Sequence, residues 1–199
     1  MKKLTFVLLL TSIFAFGQGK SNLIKSLQNN EKESLESFKL VGYEEEGNES
    51  YYRYELPDKD HFSITFKEGE VVYLEINNIS KEVTNASLFG FNFQQTKLID
   101  IQEKFNSVGF IYENRNKTEM NNQFVTFTCY KIKNSGLIIS FVTGIDLIKL
   151  QSIKSKNDFL ENLELSTVII AKESYLDKIW GEEKAYKDGE NHVIELELK

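Results

Sequence analysis

Between residues 50 and 77 the chain alternates between apolar and polar side chains so regularly that a β-sheet is the structure able to bury the apolar set. Three runs, 50–56, 61–67 and 71–77, place Tyr52, Tyr54, Leu56, then Phe62, Ile64, Phe66, then Val72, Leu74, Ile76 on one parity. Successive strand side chains point to opposite faces, so these residues share a face and predict a core. Burying each is worth roughly 1.5–3 kcal/mol, and a slip of one residue would expose the whole set. A further run at 38–45 precedes them, and EGN, PDKD and KEGE supply the turns of an antiparallel meander.

The opposite parity carries Tyr51, Arg53, Glu55, then His61, Ser63, Thr65, Lys67, then Val71, Tyr73, Glu75. With the core residues in line, Arg53, Thr65 and Tyr73 are expected in one cross-strand row and Glu55, Ser63 and Glu75 in another. Tyr51, Arg53, Thr65 and Tyr73 are the candidate binding residues, because tyrosine offers ring area with a hydroxyl and arginine a planar fork of donors. The plain alternative is a solvated sheet face, since Tyr and Thr favour strands in any case. A helix lying over this face is a third arrangement.

Elsewhere the pattern changes period. Leu23, Ile24, Leu27 and Leu35 predict a helix over 21–37, and Leu98, Ile101, Phe105 and Val108 predict a second, capped by Thr96 and ended by Gly109. Strands are expected near 110–114, 123–133 and 137–143, the last two joined by the NSG turn at 134–136. Beyond Ile145 the chain reads as one or two helices up to Leu163, a strand at 166–171, a helix from Tyr175 to Trp180 and a closing strand at 192–198. The class is α+β, a mostly antiparallel sheet with helices packed on one face.

FKLVGY at 38–43 and FNSVGF at 105–110 echo each other at an offset of 67 residues, which Gly69 and Gly136 share. A helix-plus-meander unit used twice would explain this, with half-repeats 21–90 and 91–150 followed by an αβ extension over 151–199. Tandem units of this shape resemble the architecture of beta-lactamase-inhibitor-like proteins and small outer-membrane-assembly lipoproteins, a likeness of fold with no shared motif.

The N-terminus constrains location. Lys2 and Lys3 precede the apolar run Leu4 to Phe16, and Ala15-Phe16-Gly17 places small residues where a signal peptidase reads them. At about 1.5 Å per helical residue the run reaches about 20 Å, short of the roughly 30 Å hydrocarbon layer. Residues 1–17 are therefore expected to be a signal peptide and 18–199 a single compact domain with no membrane span, exported to the periplasm or beyond the cell. No Cys lies near the cleavage region to take a lipid.

Export also changes the charge. The 199-residue chain carries a net −6, which becomes −8 without Lys2 and Lys3, a poor match for nucleic acid or anionic membrane. The abundance of Lys, Asn, Ile, Glu and Phe fits an AT-rich bacterial proteome. Cys129 is the one cysteine, so no internal disulfide forms, and its strand parity with Val125 and Phe127 predicts a buried thiol.

Catalytic vocabulary is sparse. His61 and His192 have no partner at metal-ligand spacing, so no metal and no cofactor is expected. Asp58 and Asp60 in PDKDH begin like a calcium loop, but Phe62 takes the third ligand position. Gly19-Lys20-Ser21 ends like a phosphate-binding loop, yet the start of that motif would fall at Phe14 in the apolar run. Glu55 and Glu75, flanking a middle strand, would lie about 9.6 Å apart from two spacings of about 4.8 Å. That is near the upper end for an inverting glycosidase pair, though on an open sheet face neither carboxyl is desolvated.

The leading expectation is an exported, soluble, non-catalytic binding or interaction protein of the bacterial cell envelope, of accessory, inhibitor or immunity type, whose partner is another protein or a small envelope ligand. The alternative is an envelope hydrolase acting on glycan or peptide through carboxylates. Expressed in a bacterium that secretes it, the protein should yield a mature N-terminus at Gln18, or one or two residues later, by intact mass and N-terminal sequencing; an unprocessed Met1 form throughout would contradict the signal.

Overall fold

The alternating runs pair as a meander. In a computed structural model describing residues 35, 38–56, 60–78, 88–115, 118–120, 122–186 and 192–196, they form β1 (Lys39–Glu46), β2 (Glu49–Glu55), β3 (His61–Lys67) and β4 (Glu70–Asn77). The expected signal segment, the 21–37 helix apart from Leu35, and Asp58 lie outside the described residues. The β3–β4 turn is two residues long, with Glu68 at φ 54° and Gly69 at φ 84°. Two left-handed residues match the twist of the flanking strands, and glycine takes the second position without steric cost.

The chain continues through α1 (Leu98–Phe105), β5 (Phe110–Tyr112), a single 3₁₀ turn (Glu113–Arg115), β6 (Thr118–Met120), β7 (Gln123–Ile132) and β8 (Leu137–Asp146). Then come α2 (Leu147–Leu150), α3 (Lys156–Asn162), β9 (Glu164–Lys172), α4 (Glu173–Trp180), β10 (Lys184–Tyr186) and β11 (Val193–Ile194). Among the described residues all eleven strands join one sheet, nine of them in the order β1-β2-β3-β4-β9-β8-β7-β5-β10, with β6 and β11 also paired to β7. β9 thus inserts between the meander and the long hairpin β7–β8, antiparallel to both neighbours.

The two edges are treated differently. Along the outer side of β7, short strands follow one another: β6 at Gln123–Val125, β5 at Cys129 and β11 at Lys131–Ile132, the last in parallel. At the other edge β1 is exposed along most of its length, with a register shift between Leu40 and Gly42 and the acidic run Glu44–Glu46. A bulge and like charges both discourage further strands from adding to an edge.

The expected placement of all helices on one face is corrected. β7, β8 and β9 bury side chains on both parities: Tyr130, Ile139, Phe141, Val168 and Ile170 point to one cluster, and Phe127, Cys129, Ile138, Ile169 and Ala171 to another. Each face needs a cover. Ile101 and Phe105 of α1 join the first cluster, while Leu176 and Trp180 of α4 complete the second.

Smaller corrections have local causes. Lys97, not Thr96, occupies the cap of α1, where its backbone N–H donates to Asp100 at 2.7 Å; the Thr96 hydroxyl accepts from the backbone of Asn92 instead. The left-handed residue ending α1 is Asn106, with φ 47°. Val71 and not only Val72 is buried, since Thr65 faces Tyr73 while Phe66 faces Val71, and the extra residue of this bulge turns Val71 into the core. Among the described residues no helix is long and apolar enough to cross a membrane.

Two glycines separate backbone strain from crowding. A Cβ on Gly109 (φ 70°) would sit 2.8 Å from both the Cys129 carbonyl oxygen and Thr128 Cγ2, whereas a Cβ on Gly136 (φ 67°) would meet nothing within 4 Å. Gly136→Ala should cost about 1–2 kcal/mol of unfolding free energy from the left-handed backbone alone. Gly109→Ala should cost about 2–5 kcal/mol, because overpacking adds to it. Urea denaturation distinguishes them, and equal losses would contradict the close approach at Gly109.

Candidate functional site

The meander face opposite the core becomes a groove because α4 walls it. The helix starts immediately after β9 ends, so the sheet sets its direction, and its buried Tyr175, Leu176 and Trp180 face the strands. At its far end Gly181 follows, and the Asn114 amide donates to the Trp180 carbonyl at 3.2 Å. On the flank toward β5 and β10, Lys184 bridges Glu173 at 2.8 Å and Asp177 at 2.7 Å, and the Tyr112 hydroxyl donates to Asp177 at 2.8 Å.

On the opposite flank the contact reaches across to β2. The Glu49 side chain, buried at the start of β2, accepts from Lys178 Nζ at 2.5 Å, the Tyr51 hydroxyl at 2.6 Å and the Tyr175 hydroxyl at 3.2 Å. The Lys178 ammonium and the Tyr51 hydroxyl hold the Glu49 carboxyl below its ordinary range, against the opposing effect of burial. The same contact with Glu49, together with burial, raises the Tyr51 phenol. Lys178 is stabilised as the cation by Glu49.

Between this wall and the rim at Gly42–Glu44 lies a cavity of about 430 Å³. Its floor is Tyr51, Arg53, Ser63, Thr65, Tyr73 and Glu75, and Tyr175 and Ile179 form its side. All four residues picked out by their strand parity therefore line one cavity. Beyond Tyr73 and Glu75 it continues into a hollow of about 200 Å³, whose walls include Asn77, Arg115, Thr167 and Trp180. The Tyr73 ring sits at the junction, 6.1 Å from that of Tyr175, and its hydroxyl donates to Glu75, which also accepts from the Asn77 amide at 2.6 Å. Burial and the Glu75 charge raise the Tyr73 phenol well above its ordinary value.

The rows differ from those expected. Tyr51, Thr65 and Tyr73 form one, and Arg53, Ser63 and Glu75 another. The link from β2 to β3 closes with the Leu56 N–H donating to the Asp60 carbonyl at 2.7 Å, so Glu55 faces His61 and not Ser63. Glu55 and Glu75 therefore do not share a row, and the Glu55 carboxylate meets Lys39 at 2.8 Å. The separation estimated from two strand spacings no longer applies to that pair. The remaining candidates sit elsewhere: Asp60 is buried and accepts from the Asn78 amide at 3.0 Å, and His192 lies against the rings of Phe110 and Tyr186. Cys129 is buried, which pushes its thiol up to about 12 and leaves it protonated at neutral pH. Among the described residues no group of three or more His, Cys, Asp or Glu is placed to hold a metal ion.

The sequence pattern alone did not reveal Glu49, Arg115, Tyr175, Ile179 or Trp180. The usable signal was the spacing of Tyr175, Leu176, Ile179 and Trp180, which gives a short helix an apolar stripe, together with the unbroken apolar run in β8 that needs a second cover.

No protein-family model matches the chain, and no curated protein does. Among solved structures it is similar to an extracellular protein containing a SCP domain from Bacillus anthracis, with a TM-score of 0.40 and 9% identity over 76% of this chain and 45% of that one. It is also similar to a cysteine-rich secretory protein from Staphylococcus aureus, with a TM-score of 0.34 and 10% identity over 76% of this chain and 48% of that one. The chain thus spans less than half the length of either protein.

Glu49 gives the site a pH signature. Its carboxyl titrates lower when folded, so the stability it adds is complete above its unfolded value of about 4.3 and is lost as pH falls through the lower folded value. Glu49→Gln should lower unfolding free energy by about 2 kcal/mol at pH 7, the scale of hydrogen bonds to a charged group. The gap from wild type should narrow toward pH 3 in urea melts; a pH-independent gap would contradict the clamp.

Proposed function

We propose that the protein is an exported, non-catalytic binding protein of the bacterial cell envelope, and that it holds its ligand in the groove between the β2–β4 face and α4. One observation carries this: a sheet face rich in tyrosine is walled into a cavity of a size suited to ligands, with the exposed Arg53 on its floor. Tyr51, Tyr73 and Tyr175 have their hydroxyls tied to Glu49 or Glu75, which fixes their rings before any ligand arrives. Export rests on the charged start, short apolar run and small residues of positions 1–17, and residues 18–199 are read as the working domain. The β3–β4 and β7–β8 hairpins, with Gly69 and Gly136 at positive φ, support a helix-plus-meander unit used twice.

Ser63→Trp fills the cavity floor from an exposed-face position, and Arg53→Ala removes its cation. Immobilised wild-type protein, incubated with solubilised envelope material and washed, should retain a ligand detectable by mass spectrometry, and each variant about tenfold less. Equal retention by wild type and both variants, with thermal melts showing them folded, would contradict binding in this groove.

A further inference from the structure

Arginine is rare in this chain: of 24 cationic Lys and Arg residues only Arg53 and Arg115 are arginine, and both line the groove. Every salt bridge among the described residues uses a lysine, and neither guanidinium takes part in one. Arg115 is nevertheless held in place, with its Cζ 5.7 Å from the centre of the Trp180 ring and 5.8 Å from that of Phe127. A guanidinium held by ring contacts keeps N–H donors for a ligand, and its planar fork can meet a carboxylate through two parallel hydrogen bonds. We propose that the groove takes an oligosaccharide bearing isolated carboxylates, one gripped by Arg53 and another by Arg115; this rests on the groove being the binding site.

The spacing indicates a chain-like ligand. Arg53 stands on β2 and lines the first hollow, Arg115 lies over Phe127 of β7 and lines the second, and Tyr73 and Glu75 of β4 are shared by both. The rings of Tyr73 and Tyr175 line the groove between them, and Tyr51 flanks Arg53 on β2. A densely charged chain is disfavoured by the acidic protein and by Glu75 in the floor, so the carboxylates are separated by neutral units.

The floor favours sugar over peptide. The groove crosses the strands on a sheet face, where the backbone N–H and C=O groups are already paired in the ladders. An extended peptide gains main-chain hydrogen bonds at a sheet edge, and here it would gain none from the floor. A saccharide lays its C–H faces on the tyrosine rings and turns its hydroxyls to side chains and water.

Trp180 is the chain's only tryptophan and lines the second hollow, so its fluorescence reports on ligand there. The probes are a hyaluronan hexasaccharide, with a carboxylate on alternate sugars, neutral chitohexaose, and an acidic hexapeptide. The acidic saccharide should shift Trp180 emission and bind at least about tenfold more tightly than the other two. Arg53→Lys and Arg115→Lys keep the charge but lose the fork, and each should weaken that binding about tenfold while circular dichroism shows the fold retained. Equal affinity for both saccharides, or no effect of either lysine variant, would overturn the carboxylate assignment. Preference for the peptide would overturn the saccharide, and so would no binding of any probe. Hyaluronan binding that survives Ser63→Trp would overturn the groove reading itself.

Discussion

Strands β7, β8 and β9 are apolar on both parities, and this double burial organises the molecule. A strand with one apolar face can leave the other in water, but these three need cover above and below. α1 covers one side through Ile101 and Phe105, and α4 covers the other through Leu176 and Trp180. The meander strands β2–β4 are different, because their second face carries Tyr51, Arg53, Ser63, Thr65 and Glu75. The groove lies where the obligatory cover ends, with the doubly buried half of the sheet supplying its wall and the singly buried half its floor.

Polar contacts then fix the wall. Glu173 and Asp177 tie α4 to Lys184 and Tyr112 on one flank, and Lys178 and Tyr175 tie it to Glu49 on the other. Glu49 is the piece that links the helix to a strand three places away in the sheet, since β3 and β4 separate β2 from β9. It serves the floor as well, because it accepts from Tyr51 and so sets the direction of that ring. Wall and floor are thereby positioned by one carboxylate.

What could be read in advance follows the physics of a two-residue period. The face of each residue in β2 and β3 was legible, because parity is local and apolar burial enforces it. The row was not: closure between Leu56 and Asp60 moves the pairing by two residues, and a shift of two returns every side chain to its own face. The core pattern cannot register that difference, yet it decides that Arg53 and not Glu55 shares a row with Glu75. Val71 was hidden for a related reason, since a bulge breaks the period itself. Tyr51, Arg53, Thr65 and Tyr73 could be found because they share a face of one meander. Glu49, Arg115, Tyr175 and Trp180 join them only through contacts distant in sequence, such as the 126 residues between Glu49 and Tyr175. The unbroken apolar run of β8 already implied a cover on its second face, and with it a wall beside the tyrosines.

Hydroxyl-radical footprinting with and without native envelope material tests most directly whether this groove is the functional surface. Tyr51, on the floor, is to be compared with Tyr43, 47% exposed on the opposite face of the sheet against Tyr52, and with Tyr186, 45% exposed on β10 outside the groove. Binding in the groove predicts that oxidation of Tyr51 falls while that of Tyr43 and Tyr186 is unchanged. Protection of Tyr43 or Tyr186 with Tyr51 unaffected would contradict it.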